Sequence, residues 1–97
     1  MSERTTAALA VLDKLLPVLK SGPSGPHHDQ VVEEAEALRR AVAAFHMEAI
    51  RFRIFAVDRL VRLDGDPPAV RALVDELRHE LETAGFHTRS HAAPEKA

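Results

Sequence analysis

Between Asp29 and Leu63 the chain contains no glycine and no proline, and turn-forming runs close both ends, Gly-Pro-Ser-Gly-Pro at 22–26 and Asp-Gly-Asp-Pro-Pro at 64–68. A stretch free of both helix breakers predicts one continuous helix over 29–63. At a rise of about 1.5 Å per residue it would extend about 50 Å, whereas a compact domain of this chain length has a radius of gyration near 12–13 Å. A helix that long cannot be covered by its own chain, so the run predicts self-association.

The apolar pattern within the run sharpens that expectation. Val31, Ala35, Leu38, Val42, Phe45, Ala49, Phe52 and Ala56 follow a strict four-three spacing, which is a heptad seam, and the next seam position is occupied by Arg59. A second stripe lies about 110° round the helix and holds Ala43, Met47, Ile50, Ile54, Val57 and Val61, so it exists only in the C-terminal half. Phe55 falls on neither stripe and is expected to be partly exposed. Asp29 is the expected N-cap, and Glu33, Glu34 and Glu36 place negative charge where the helix dipole favours it.

Two shorter helices flank the long one. The segment 3–20 carries Ala8, Leu12, Leu15 and Leu19 at helical spacing, widened by Leu9 and Leu16, with Ser2 or Thr5 as N-cap and Pro17 as the point of a kink or an end. The segment 67–84 reads as Asp66 at the N-cap, Pro67 at the first helical position, and Val70, Val74, Leu77, Leu81 and Ala84 on one face. Gly85 then fits a C-terminal left-handed cap with Phe86 packing back on Leu81, and Arg71–Asp75 and Arg78–Glu82 are i,i+4 pairs expected on the outer surface. The fold expected is all-α, with helices short, long and short in a single domain 1–86 and a flexible tail 87–97.

If long helices from two chains run antiparallel about Phe45, Leu38 faces Phe52, Ala35 faces Ala56, Val42 faces Ala49, and Arg59 falls near Glu33 or Glu34 of the other chain. The expected homodimer interface is therefore Val31, Ala35, Leu38, Val42, Phe45, Ala49, Phe52, Phe55, Ala56 and Arg59. The competing reading is a monomer whose middle helix bends until one chain covers the seam.

Composition narrows the function classes. The chain is 45 % hydrophobic and 29 % charged, and its four aromatic residues are all Phe, which favours helix packing through small and aliphatic side chains. A formal charge of −2 and a pI near 6.3 supply no global attraction to phosphate backbones or anionic membranes. The absence of Cys excludes disulfides, thiolate nucleophiles and Cys-ligated metals. No secretory signal and no bilayer-length apolar run is present, so the expected location is cytoplasmic. Ten Arg against three Lys, with abundant Ala, points to a GC-rich bacterial genome.

Few constellations could carry chemistry. Glu76-Leu-Arg-His79-Glu80 has the Glu-x-x-His spacing of di-iron bundle sites, and a carboxylate and histidine metal-binding bundle, ferritin-like or metal-sensing, possibly with His46 and Glu48, is the alternative reading. Against it, His79 lies about 180° from the apolar stripe and should face water. His46, followed by Glu48, is read as a packing histidine in preference to a phosphoacceptor. His27-His28 and His87-x-x-x-His91 fall in the loop and the tail. Arg51, Arg53, Arg59 and Arg62 scatter round the helix, so a duplex-binding face is the less favoured third reading. No nucleophile with its base and no glycine-rich phosphate loop is found. The function expected is a non-enzymatic helical interaction module, a small regulatory, adaptor or assembly protein with no cofactor, whose partner is another protein.

Overall fold

A computed structural model describes residues 5–22 and 25–85. Among the described residues there are four α-helices and no strands, so the chain is all-α: α1 is Thr6–Ser21, α2 is His28–Ala44, α3 is Met47–Leu63 and α4 is Pro68–Thr83. The expected long helix is two helices of 17 residues each, and it could not have fitted a molecule whose longest extent is 34 Å. The expected tail 87–97, and Phe86, lie outside the described residues.

The break falls at Phe45 and His46. Phe45 is left-handed at φ 62°, ψ 39°; its N–H donates to the Val42 carbonyl at 3.1 Å, and the His46 N–H donates to the Ala41 carbonyl at 3.0 Å. These two bonds form a Schellman cap without glycine. His46 is extended, and its carbonyl accepts the Ile50 N–H at 2.9 Å, which starts α3. A left-handed non-glycine residue costs about 1–2 kcal/mol. The gain is that each half buries its own stripe: Val31, Ala35, Leu38 and Val42 on α2, and Ile50, Ile54, Val57 and Val61 on α3. In one straight helix these two sets point about 110° apart and cannot share a core. Each Val, Leu or Ile among them contributes about 1.5–3 kcal/mol when fully buried, so together they outweigh one strained residue.

The flanking helices follow the pattern read from their stripes. Ala8, Leu12, Leu15 and Leu19 of α1 are buried together with Val11, and Pro17 sits inside a helix that continues to Ser21. Val70, Val74, Leu77, Leu81 and Ala84 are buried from the α4 side. The caps differ from expectation by small shifts with physical causes. Pro67 is extended at φ −58°, ψ 137° and Pro68 takes the first helical position, since a residue before proline is driven out of helical geometry. Asp66 does not cap α4; it is left-handed at φ 53° and its carboxylate accepts from Arg71. Asp29 lies in the first turn of α2 and His27 takes the cap position, whereas Gly85 is left-handed at φ 102° as expected.

The helices pack in the order α4, α1, α2, α3, with α3 and α4 meeting more sparingly than the other neighbours. What the α3–α4 contact lacks in apolar packing it makes up in charge. Asp58, buried on α3, accepts from Arg71 Nη1 at 2.6 Å and Arg62 Nε at 3.0 Å, and Arg78 Nη1 stands 3.7 Å away. Arg71 also donates to Asp66 at 2.8 Å and Asp75 at 3.1 Å. Thus Arg71 and Arg78 are half-buried clamps on α3, where i,i+4 pairing alone had placed them on the outer surface.

Candidate interaction face

α3 has one packed side and one unpacked side. Successive residues turn about 100°, so Ile50, Ile54, Val57 and Val61 point together into the core, and Phe52, Phe55, Arg59 and Leu63 gather on the opposite side. Phe52 is 63 % exposed, Leu63 52 % and Phe55 47 %. Phe45 and Met47, at the break, are exposed as well, so the large exposed apolar residues described all fall between 45 and 63.

Arg51, Arg59 and Arg62 lie on this same side, within about 80° of one another. Counted as four, the arginines of α3 scatter; the structure removes Arg53 from the count. Its Nη1 donates to Glu34 of α2 at 2.8 Å, and its guanidinium carbon stands 5.4 Å from the centre of the Phe52 ring. Arg62 is tied to Asp58, while Arg51 and Arg59 make no ion pair among the described residues. Glu48 is the one acid on this face, near its N-terminal end, where the helix dipole favours it.

The residues expected to form an interface divide at the break. Val31, Ala35, Leu38 and Val42 are buried in the chain's own core and are closed to any partner. Ala49 and Ala56 are half-buried, and Phe45, Phe52, Phe55 and Arg59 are exposed. A two-fold pairing along one heptad seam centred on Phe45 has no continuous helix to run along. The bend that the competing reading placed in the middle helix is a full break. Leu63, absent from the expected set, belongs with Phe52 and Phe55; its position eleven residues after Phe52 was the available signal.

Electrostatics fix how α3 is held. Burial pushes the Asp58 carboxyl upward, but hydrogen bonds from Arg71 and Arg62 and the charges of Arg71 and Arg78 outweigh it, and its pKa stays below the ordinary value. Arg71 is held firmly protonated: burial disfavours its charge, and the carboxylates of Asp58, Asp66 and Asp75 more than reverse that. Its Nη2 is buried without a hydrogen-bond partner among the described residues.

At the far end of α3, Asp64 closes a different contact. It accepts the His27 backbone N–H at 3.1 Å, its Oδ1 lies 2.8 Å from the His27 ring Nδ1, and a side chain at Gly25 would stand 2.5 Å from its carboxylate carbon. Beside it a crevice of about 160 Å³ is walled by Val18, Leu19, Val31, Val61 and Val70, with His28 and Asp64 as its ionisable side chains. Two of the loop histidines are thus parts of the helix-end packing.

The structure does not assemble the metal set. Glu76 reaches Lys14 at 3.8 Å, His79 is exposed on the outside of α4 near Glu80, and His46 and Glu48 sit at the α2–α3 junction. Among the described residues, no three His, Asp or Glu side chains converge as metal ligands do, and no helix is long and apolar enough to cross a membrane. No family model matches the chain, and no curated protein or solved structure matches it, so the α3 face stands on its own geometry.

Proposed function

We propose that this chain is a non-enzymatic helical interaction module that engages another protein through the outer face of α3. One observation carries the reading: a helix already packed on its core side presents Phe52, Phe55 and Leu63 together on the other. Single exposed apolar residues are ordinary, whereas large ones gathered on one helix face mark interaction surfaces. Phe and Arg are also the residue types enriched at the centres of protein interfaces. A regulatory, adaptor or assembly role follows from a chain that offers a docking face on a small core. The homodimer inferred from helix length loses that premise, and a second copy becomes one candidate occupant among others.

The test is site-specific photo-cross-linking in cells that express the chain natively. A photoreactive residue at position 52 should yield discrete adducts of higher mass, and one at exposed Ala72 on α4 should not. Absence of adducts from position 52, or an equal yield from both positions, contradicts the reading.

A further inference from the structure

We infer that the outer face of α3 is the seat of an acidic amphipathic helix supplied by another protein. The inference rests on the interaction-module reading and adds the chemistry of the partner.

The shape of the face sets the first requirement. Phe52, Ala56 and Leu63 form a strip along one edge of α3, with Phe55 beside it, over most of a 17-residue helix. From Phe52 to Leu63 that is about 17 Å of straight apolar ridge, which matches another helix laid alongside. The Phe52 ring is also ordered in advance, because Arg53 stacks against it and is itself held by Glu34. An anchor already fixed loses less entropy on docking.

Charge sets the second requirement. Arg51, Arg59 and Arg62 flank the strip, and Glu48 alone opposes them in sign on this face. α2 carries Asp29, Glu33, Glu34 and Glu36 against Arg39 and Arg40, the outside of α4 carries Asp75, Glu76 and Glu80, and α1 is close to balanced, with Lys14 and Lys20 against Asp13. Although the chain carries a net charge of −2, Arg51, Arg59 and Arg62 stand beside its exposed phenylalanines, and complementary charge steers and registers a partner at such a face. A second copy in the register centred on Phe55 is disfavoured, and light scattering tests the remaining registers. Antiparallel pairing centred on Phe55 lays Arg51 of each copy against Arg59 of the other, and the only compensation, Glu48 with Arg62, competes with the Asp58 bond at 3.0 Å. Long polyanions and anionic membranes would also meet the acidic flanks of α2 and α4.

The test is selection of peptides from a random helical display library on the full chain, with counter-selection on Phe52→Glu. That variant keeps its fold because the ring is mostly exposed; circular dichroism and an unchanged melting temperature verify this. The selected peptides should carry an i, i+3, i+4, i+7 apolar stripe flanked by Asp or Glu. Synthetic copies should lose at least about 10-fold in affinity on Phe52→Glu and about 3- to 10-fold on Arg59→Glu. Binding should weaken as NaCl rises from about 50 mM to about 500 mM. Selection of neutral or basic stripes, or no enrichment that depends on Phe52, overturns the inference. So does Phe52-dependent binding to phosphatidylglycerol vesicles or to duplex DNA in place of peptides, or a dimer in light scattering that Phe52→Glu dissolves. If position 52 cross-links in cells but acidic peptides are not selected, the partner chemistry is wrong and the interaction module stands.

Discussion

α2 and α3 are equal in length, are adjacent in sequence and pack on each other, yet only one of them is finished as a surface helix. The back of α2 carries Glu33, Glu36 and Arg40, the ordinary solvated face of a helix whose apolar stripe is buried. The back of α3 carries Phe52, Phe55 and Leu63 between arginines. The difference teaches that the α3 pattern exceeds what folding asks of it. Ile50, Ile54, Val57 and Val61 already meet the core, so the outer apolar residues are surplus to the fold, which is the ground for the proposed contact outside it.

The sharpest way to break this comparison is to truncate the two sides of α3 in turn. Ile54→Ala, which opens a cavity at a fully buried site, should cost about 2–5 kcal/mol in urea unfolding, whereas Phe52→Ala should cost less than about 1 kcal/mol. Comparable losses would mean that Phe52 serves the core.

Next in size is the charge clamp that holds α3 to α4. Asp58→Ala leaves Arg71 half-buried without its closest carboxylate and should cost about 2–4 kcal/mol. The Asp58 pKa is lower folded than unfolded, so its contribution is complete above the unfolded value of about 3.9 and is lost as pH falls through the folded value. The stability gap between wild type and Asp58→Ala should therefore be constant near neutral pH and close as the pH is taken below about 4. A gap that persists in acid would show that the carboxylate acts through packing alone.

The smallest effect lies between the helices. Arg53→Ala removes the Glu34 bond and the stacking on Phe52 and should cost about 0.5–1 kcal/mol, diminished by salt. A double-mutant cycle with Glu34→Gln should recover most of that as coupling; independent losses would remove the tie between α2 and the outer face.

Much of the fold was legible in sequence. The stripes of α1 and α4, the turn at 25–27, the loop at 64–67 and the left-handed Gly85 follow from periodicity and turn chemistry. The break at Phe45 did not show, because neither Gly nor Pro marks it and a bulky residue takes the left-handed position on the strength of the packing around it. Its signal was present in another form: the apolar stripe changes face by about 110° midway along 29–63, and a stripe that changes face implies a chain that changes direction. Taking the two stripes as two partners for one helix, when they were one core for two helices, led to the antiparallel dimer along the seam. The candidate face was partly legible for the same reason. Phe52, Phe55 and Arg59 were identified, but the arginines read as scattered until Glu34 was seen to claim Arg53. The Asp58 clamp was only half visible, since Arg62 is four residues from Asp58 but Arg71 and Arg78 arrive through tertiary structure.

The outward position of Phe52 depends on the break, which turns the second half of the run. Met47→Pro measures it directly. Met47 is the first residue of α3, His46 before it is already extended, and proline at that position has the right φ and forfeits no intrahelical bond. The variant should unfold in urea within about 0.5 kcal/mol of wild type with undiminished helical circular dichroism. A loss of about 3 kcal/mol or more, the effect of proline inside a helix, would show a helix running unbroken through position 47 and would contradict the account.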